Sequence, residues 1–197
     1  MSFRKEKKFR LTCYDYESLK NELLLKGMVA LYAKREINSL YYDDENHSMF
    51  HDSEEGLLPR RKVRIRWYDD IKKASNEVKI SSVEGRFKTS SLAHAESENS
   101  LPQSLFDTHY GIIIPSLLVS YTREYITFES MRITFDSGIK YFNYRLAQNI
   151  PFLDEECVME IKVGIDVPDD YIERLIPHST SRFSKYSRGL LASNPEL

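Results

Sequence analysis

A strict alternation of cationic and apolar residues marks one segment near the middle of the chain. The segment 61–68, RKVRIRWY, has a cation at each even position from 62 to 66 and an apolar residue at each odd position from 63 to 67. Successive side chains of a β-strand point to opposite faces of the sheet. The pattern therefore predicts a strand with one apolar face for a core and one basic face.

The same pairing of an apolar face with a charged face recurs along the chain in less regular form. Strands are predicted at 3–11, 36–43, 77–80, 84–88, 117–128, 131–136 and 156–163. Turn-prone residues separate them, such as Asp136-Ser137-Gly138. These segments predict a sheet whose strands each have one apolar and one charged face.

Helical spacing appears in three places. Thr12 followed by Asp15 resembles a capping box, and leucines at helical spacing follow until Gly27. Short helices are also predicted at 171–176 and within 181–191. The Ser-rich stretch 89–110 predicts a loop with a short helix. The fold class is therefore α+β.

Length and composition narrow the class of protein. A chain of 197 residues with 41% hydrophobic residues is typical of one soluble domain, spanning 1–197. The longest apolar stretch, 111–121, is far shorter than the roughly 20 residues that cross a bilayer, and no apolar segment follows the N-terminus. Cys13 and Cys157 have no metal-ligand spacing, and we interpret both as buried thiols of a reducing compartment. A cytoplasmic location is expected.

The distribution of charge points to an anionic ligand. The formal net charge is only -2, yet strand after strand carries Arg or Lys on its polar face. Such charges usually face water, which is the simpler interpretation for any single strand. Seven strands together favour a basic groove or a lined barrel, which an anion would neutralise. Arginine suits phosphate because its guanidinium makes two parallel hydrogen bonds.

Three carboxylates lie two residues before a lysine, in the pairs Glu6 and Lys8, Glu77 and Lys79, and Glu160 and Lys162. At strand spacing the two side chains of each pair point to the same side. Each pair could place a metal-binding oxygen beside a phosphate-binding ammonium, or could be an ion pair that only balances charge. The second interpretation is favoured for Glu77, and the first is favoured for Glu160 by the family resemblance described below.

A barrel that binds RNA is a further possibility, and the pattern disfavours it. Base stacking needs exposed aromatic side chains beside the cations. Trp67 instead has the parity opposite to Arg64 and Arg66. No nucleic-acid partner is therefore expected.

Seven motifs resemble one known family in their order and spacing. They are SLYYDD (39–44), RRKVRIRWY (60–68), EVKI (77–80), PSLLVSYTREYI (115–126), MRITFD (131–136), VMEIKVG (158–164) and SRFSKYSRG (181–189). Together they resemble the polyphosphate polymerase domain of the vacuolar transporter chaperone (VTC) family, from the triphosphate tunnel metalloenzyme (CYTH-like) superfamily. The resemblance extends from residue 4 to residue 189.

The resemblance implies a closed antiparallel barrel of eight strands that forms a tunnel, with helices outside and at one mouth. It implies that phosphate transfer involves Arg64, Arg66, Lys79, Arg123 and Arg132. It implies further phosphate contacts from Lys8, Lys88 or Arg86, Lys162, Ser184 and Lys185. Glu160 resembles the carboxylate that binds Mn²⁺ or Mg²⁺.

The activity implied is metal-dependent transfer of the γ-phosphate of ATP to a growing polyphosphate chain. Relatives that hydrolyse triphosphates typically open with Glu-x-Glu-x-Lys, whereas residues 4–8 read Arg-Lys-Glu-Lys-Lys. Exchanging a carboxylate for a cation favours polymerisation. Hydrolysis of tripolyphosphate or a nucleoside triphosphate, and a non-catalytic polyphosphate-binding module, remain alternatives.

Eukaryotic members of the family add a domain that senses inositol phosphates and membrane helices, which this sequence lacks. We therefore expect translocation to be the task of a membrane-protein partner. ATP and polyphosphate are the expected ligands.

Overall fold

The computed structural model describes residues 4–146, 150–194 and 197. Two compact units divide the chain. Unit 1 comprises 1–35, 121–139 and 154–183, and unit 2 comprises 36–120, 140–153 and 184–197. Because each unit collects distant parts of the sequence, the motifs of one unit come together only after folding. The prediction of a single domain stays a prediction.

Ten strands, four α-helices and one 3₁₀ turn make up the described chain, so it is α+β. The strands are β1 (Arg4–Leu11), β2 (Val29–Asp43), β3 (Arg60–Tyr68), β4 (Asp70–Ser82), β5 (Gly85–Leu92), β6 (Leu105–Asp107), β7 (Gly111–Phe128), β8 (Met131–Asn143), β9 (Phe152–Leu153) and β10 (Cys157–Gly164). The helices are α1 (Cys13–Leu25), α2 (Ser48–Glu55), α3 (Asp169–Leu175) and α4 (Lys185–Ser193), and the 3₁₀ turn is Glu98–Ser100.

The strand order is β1-β10-β8-β7-β2-β3-β4-β5, with β6 on β7 and β9 on β8. The pairs with a described register, such as β1 with β10 and β3 with β4, are antiparallel. The prediction of a closed eight-stranded barrel is corrected here. Closure requires the two end strands to hydrogen-bond with each other. In the described chain the order is instead an open path that ends at β1 and β5.

The core of unit 1 lies between its strands and α1. Thr12 Oγ1 accepts a hydrogen bond from Asp15 N (3.1 Å) and donates one to Asp15 Oδ2 (2.7 Å), so the helix begins where the sequence predicts. Gly27 follows the helix at φ +96°, a conformation that favours glycine. Buried Leu19 and Leu23 then pack with apolar residues of β1, β8 and β10. The charged side chains at the alternate positions of these strands lie on the opposite face, away from this core.

The core of unit 2 lies under the odd positions of β3. Val63, Ile65 and Trp67 are 3%, 1% and 3% exposed. They cluster with Leu40 of β2 and Met49 of α2, as the alternation predicts. Helix α2 itself has no counterpart among the predicted elements.

The structure changes two further predictions, on the lengths of four strands and on the burial of Cys13. Strands β2, β4, β7 and β8 extend well beyond their predicted ranges, because strand pairing continues where the alternation ends. Cys13 is exposed at the first turn of α1, so only Cys157 is a buried thiol. None of the helices among the described residues is long and apolar enough to cross a membrane.

Candidate functional site

The polar face of β3 carries an arginine and glutamate cluster in unit 2. Arg64 Nε and Nη2 both donate to Glu77 Oε2, at 2.8 and 2.6 Å. Lys88 Nζ donates to Glu77 Oε1 at 2.7 Å, and Arg66 Nη1 lies 3.9 Å from Oε2. Strand pairing explains the arrangement, because Arg64 lies opposite Glu77 on β4. We call Arg64, Arg66, Glu77 and Lys88 the Glu77 cluster.

Glu77 stays ionised in this cluster. Burial by itself raises the pKa of Glu77, but Arg64, Arg66 and Lys88 outweigh burial and lower it to about 2. One carboxylate thus faces three cations, and the cluster keeps an excess of positive charge. Glu77 does form ion pairs, but the partners are Arg64 and Lys88 of the neighbouring strands, where the sequence predicts Lys79.

Three lysines lie side by side in register next to this cluster. Lys62 is opposite Lys79, and Lys79 is opposite Lys88. Directly opposite residues of antiparallel strands share a face and come within about 5.5 Å between Cβ atoms, and like charges placed so repel. The row extends the positive surface of the Glu77 cluster across β3, β4 and β5. An anion such as a phosphate chain would relieve the repulsion.

The N-terminus of α4 belongs to the same unit. Ser184 precedes the helix, and its Oγ accepts hydrogen bonds from Ser187 N (3.4 Å) and Lys62 Nζ (2.9 Å). Lys185 is the first helical residue and is partly buried. The two predicted contacts of the C-terminal segment therefore lie beside the lysine row.

Two tyrosines link α4 to the Glu77 cluster. The rings of Tyr41 and Tyr186 stack, with centroids 4.9 Å apart and planes at 21°. Tyr41 Oη accepts a hydrogen bond from Arg64 Nη1 at 2.9 Å. Tyr186 Oη donates to Asp43 Oδ2 at 2.6 Å, deep in the unit. Asp43 also accepts from two backbone N–H groups at the start of α2.

Unit 1 holds a second cluster around Glu160, whose side chain is 12% exposed. Lys162 Nζ lies 2.8 Å from Glu160 Oε1, and Lys8 Nζ lies 3.9 Å from Oε2. Lys8 Nζ also lies 3.9 Å from Glu6 and donates to the carbonyl of Phe183 at 3.1 Å. The Glu-x-Lys spacing therefore does place Glu160 and Lys162 on one side of β10.

The charge state of Glu160 depends on its cations. Burial by itself raises the pKa of Glu160, but Lys162, Lys8 and Arg123 outweigh burial and lower it. The carboxylate is thus an anion at neutral pH. We call Lys8, Arg123, Glu160 and Lys162 the Glu160 cluster.

Arg123 is held by a carboxylate to which the sequence analysis gives no role. Its Nε and Nη2 donate to the two carboxylate oxygens of Asp136 at 2.5 and 2.7 Å. The remaining predicted arginine of unit 1, Arg132, is exposed on β8 opposite Lys162. Its guanidinium lies 5.9 Å from the ring centre of Tyr125.

Residues that the sequence analysis leaves without a role include Asp43, Asp136 and Tyr186. All three lie inside quoted motifs: Asp43 in SLYYDD, Asp136 at the end of MRITFD, and Tyr186 in SRFSKYSRG. Their strand or helix is predictable, but their partners are distant in sequence. Their position within the motifs was the only signal in the sequence that they have a function. The alternation of residues gives the face of a strand but not the partner of a side chain.

The residues near Glu160 fit a metal that arrives with its substrate. Among the described residues no group of three or more His, Cys, Asp or Glu side chains could hold a metal ion by itself. Mg²⁺ is usually bound by one or two carboxylates together with substrate phosphates. Thr134 lies opposite Glu160, and its buried Oγ1 has no hydrogen-bond partner within the described ranges. A metal-bound water or a phosphate oxygen would satisfy it.

Solved structures with this fold come from several organisms. A candidate adenylate cyclase from Vibrio parahaemolyticus is 15% identical, with a TM-score of 0.54 over 96% of this chain and 98% of its own. A conserved hypothetical protein from Pyrococcus furiosus is 12% identical, with a TM-score of 0.55 over 93% and 99%. A Hippeastrum protein described with a dominant triphosphatase activity is 13% identical, with a TM-score of 0.51 over 99% and 97%. These likenesses establish the fold.

Sequence comparison identifies the family. A search of curated proteins finds no match. The model of the VTC domain, in contrast, matches residues 3–194, nearly the whole chain. The resemblance carried by the seven motifs is thereby confirmed, and the chain belongs to the VTC domain family.

Proposed function

We propose that this protein is a metal-dependent polyphosphate polymerase that transfers the γ-phosphate of ATP to a growing polyphosphate chain. The observation that supports it most is the VTC domain match over 3–194, together with clusters of cations on the polar strand faces of both units. The proposal makes the enzyme a phosphotransferase with ATP and polyphosphate as its ligands.

The proposed roles divide the basic residues into two groups. The transferred phosphate and its neighbours are bound by Arg64, Arg66, Lys79, Arg123 and Arg132. The rest of the phosphate chain is bound by Lys8, Lys88, Lys162, Ser184 and Lys185. This division follows the family resemblance. Arg64 and Arg123 each bind a carboxylate through two nitrogens, which holds the guanidinium in one orientation and supports a place beside the transferred phosphate.

The reaction needs positioning and charge neutralisation more than a covalent side chain. A terminal oxygen of the polyphosphate chain attacks the γ-phosphorus of ATP and forms a new P–O bond. The bond between the γ-phosphorus and the bridging oxygen breaks, and ADP leaves with that oxygen. The attacking oxygen is already ionised near neutral pH, so no side chain has to remove a proton.

The cations contribute by meeting negative charge that spreads over the transferred group. Arg66 is 11% exposed and Arg64 is 21% exposed, so both act where water is partly excluded and interactions between charges are stronger. Charge-assisted hydrogen bonds contribute about 1.5–3 kcal/mol each. The loss of one arginine should therefore slow transfer substantially without abolishing binding.

Mn²⁺ or Mg²⁺ is proposed to be held by Glu160, with Glu6, which also lies beside Lys8, as a second carboxylate. A bound divalent ion would neutralise charge on the phosphate oxygens. Lys8 and Lys162 keep Glu160 ionised and ready to exchange an ammonium partner for a metal ion.

A hydrolase is the second candidate, with water in place of the polyphosphate oxygen as nucleophile. The triphosphatase activity described for the Hippeastrum protein favours this alternative. The opening motif of this chain favours the polymerase, because Glu6 is the only carboxylate in residues 4–8. A module that binds polyphosphate without turnover is the third candidate. A membrane-protein partner and a cytoplasmic location remain part of the proposal.

Products distinguish the three candidates. Purified protein is incubated with ATP and Mn²⁺, and samples are analysed for polyphosphate on gels, for ADP and for free phosphate. We expect a ladder of lengthening chains with ADP in proportion to the phosphate incorporated. Free phosphate without a ladder would establish the hydrolase. Retention of added polyphosphate without ADP release would establish the binding module.

A further inference from the structure

Tyr41 occupies an unusual position for a buried tyrosine. Its side chain is 7% exposed, and its Oη accepts a hydrogen bond from the Arg64 guanidinium at 2.9 Å. Within the described part of the chain no acceptor receives the proton of the Tyr41 hydroxyl. A buried phenol normally donates to a partner. Tyr41 therefore either lacks the proton or donates it to a group that is not part of the protein.

The neighbouring Tyr42 shows the ordinary arrangement. It is 1% exposed, on the other face of β2, and its Oη donates to the carbonyl of Pro102 at 2.8 Å. Burial raises the pKa of the Tyr42 hydroxyl, so that it stays protonated. Tyr41 and Tyr42 are both buried tyrosines, but different groups face their hydroxyl oxygens. A guanidinium faces the Oη of Tyr41, and a carbonyl faces the Oη of Tyr42.

Cations surround Tyr41 on the side of β3. Lys62, Arg64 and Arg66 lie on this face, and Arg64 also lies over the ring with its guanidinium 5.7 Å from the ring centre. Burial by itself raises the pKa of Tyr41, but the three cations outweigh burial and lower it to about 7. A phenolate would thus add a second anion to the Glu77 cluster.

The other charged groups around Tyr41 do not cancel the effect of these cations on its pKa. Glu77 of β4 accepts hydrogen bonds from Lys88 of β5 and from Arg64 of β3, so its charge is already neutralised. Tyr186 of α4 stacks on the Tyr41 ring but directs its hydroxyl to Asp43. Asp43 and Tyr186 form a pair of their own, in which the pKa of each group is raised above its usual value.

We propose that Tyr41 is a phosphate-binding residue that exchanges a proton with solvent: it is a phenolate partner of Arg64 in the empty protein, and when the anion binds it takes up one proton and, as a neutral phenol, donates a hydrogen bond to a phosphate oxygen. The inference rests on the proposed function only for the identity of the ligand. It explains how part of the positive charge of this surface is offset in the empty protein without a second carboxylate, which would stay ionised and repel the substrate.

The sign of the pH dependence follows from proton uptake. If the complex binds more protons than the empty protein, affinity is greatest at low pH and falls as pH rises through the pKa of Tyr41 in the empty protein. Relative to Tyr41→Phe, which cannot titrate, the affinity of the wild type should fall about tenfold between about pH 6 and pH 8. The comparison with the variant removes the titration of the ligand itself, whose terminal phosphate ionises near pH 6.

The first experiment measures the near-ultraviolet absorbance of phenolate in the empty protein as a function of pH. We expect a titration of one tyrosine near pH 7 that is absent in Tyr41→Phe and unchanged in Tyr42→Phe. In Arg66→Gln, which keeps the Arg64 hydrogen bond, the midpoint should rise by about one pH unit. Identical curves for the wild type and Tyr41→Phe would overturn the inference. Melting temperatures of the variants verify that they fold.

The second experiment adds tripolyphosphate to the wild type near pH 7. We expect phenolate absorbance to disappear, and calorimetry in two buffers of different ionisation enthalpy should detect uptake of about half a proton. Binding of tripolyphosphate with unchanged phenolate absorbance would overturn the inference and leave the proposed function intact. No binding of tripolyphosphate or ATP to the wild type would overturn the proposed function, together with the ligand assigned to Tyr41.

Discussion

Asp136 of β8 holds Arg123 of the neighbouring strand β7 by two hydrogen bonds, from Nε to Oδ1 and from Nη2 to Oδ2. The Asp136 side chain is 2% exposed and that of Arg123 is 15% exposed. The pair fixes the plane of the guanidinium. It also leaves the two N–H groups of Nη1 without a hydrogen-bond partner among residues the structure describes, so they can donate to a ligand.

The first prediction concerns this ion pair. Asp136→Asn removes the charge while keeping the shape of the side chain, and leaves a largely buried guanidinium without its anion. The free energy of unfolding should fall by about 3 kcal/mol. Urea unfolding measures it. The matched control is Glu156→Gln, because Glu156 also holds an arginine, Arg10, by two bonds but in an exposed pair. Its loss should be less than about 1 kcal/mol. If the two variants lost equal free energy of unfolding, burial would not be what makes the Asp136–Arg123 pair stronger.

The second prediction concerns the proposed metal ligand. Glu160→Gln should abolish metal-dependent turnover, because a neutral amide of the same shape binds divalent cations poorly. The variant should still fold but be less stable than the wild type, since Lys8 and Lys162 lose their anion. Turnover is measured across a range of Mn²⁺ concentrations. Glu156→Gln again serves as the control and should keep full activity. Unchanged turnover of Glu160→Gln at every Mn²⁺ concentration would transfer the role to Glu6 or Glu77.

The third prediction separates the two groups of basic residues. Arg64→Ala, Arg66→Ala and Arg132→Ala should each weaken ATP binding and slow phosphate transfer by about tenfold or more, because each removes a cation from developing negative charge. Lys185→Ala should instead shorten the polyphosphate products with little change in ATP affinity. Affinity by calorimetry and product length on gels measure both effects. If Lys185→Ala matches Arg64→Ala in both, the division is wrong.

The fourth prediction follows from the low pKa of Glu77. A carboxylate whose pKa is lower in the folded state stabilises the fold above its unfolded pKa, near 4.5, and loses that contribution as pH falls toward about 2. At neutral pH, Glu77→Gln should therefore be less stable than the wild type by about 3 kcal/mol. Urea unfolding should find this difference constant from about pH 8 to pH 5.5 and smaller below about pH 4.5. A stability difference that grows as the pH falls below about 4.5 would contradict the lowered pKa of Glu77.

The alternation of residues was sufficient to predict much of the local structure. The apolar parity of β3 is buried and its cationic parity is not, because a strand exposes its two faces to different environments. The cap at Thr12 and the end of α1 near Gly27 were also predictable, since both depend on residues next to each other in the chain. Helix α2 was not, because its buried Met49 and Phe50 acquire an apolar environment only from the rest of unit 2.

The sequence alone determined which residues are cationic, which strand faces carry them, and, through seven ordered motifs, the family. Tertiary structure decided which carboxylate neutralises which cation. Glu77 pairs with Arg64 thirteen positions away, and Asp43 meets Tyr186 across 143 positions. Tertiary structure also decided that position 189 must be glycine. A Cβ there would lie 2.5 Å from side-chain carbons of Leu117 and Tyr141, which are far away in the sequence. Partners of this kind are set by strand register and helix packing, which bring distant segments together and which no local pattern encodes.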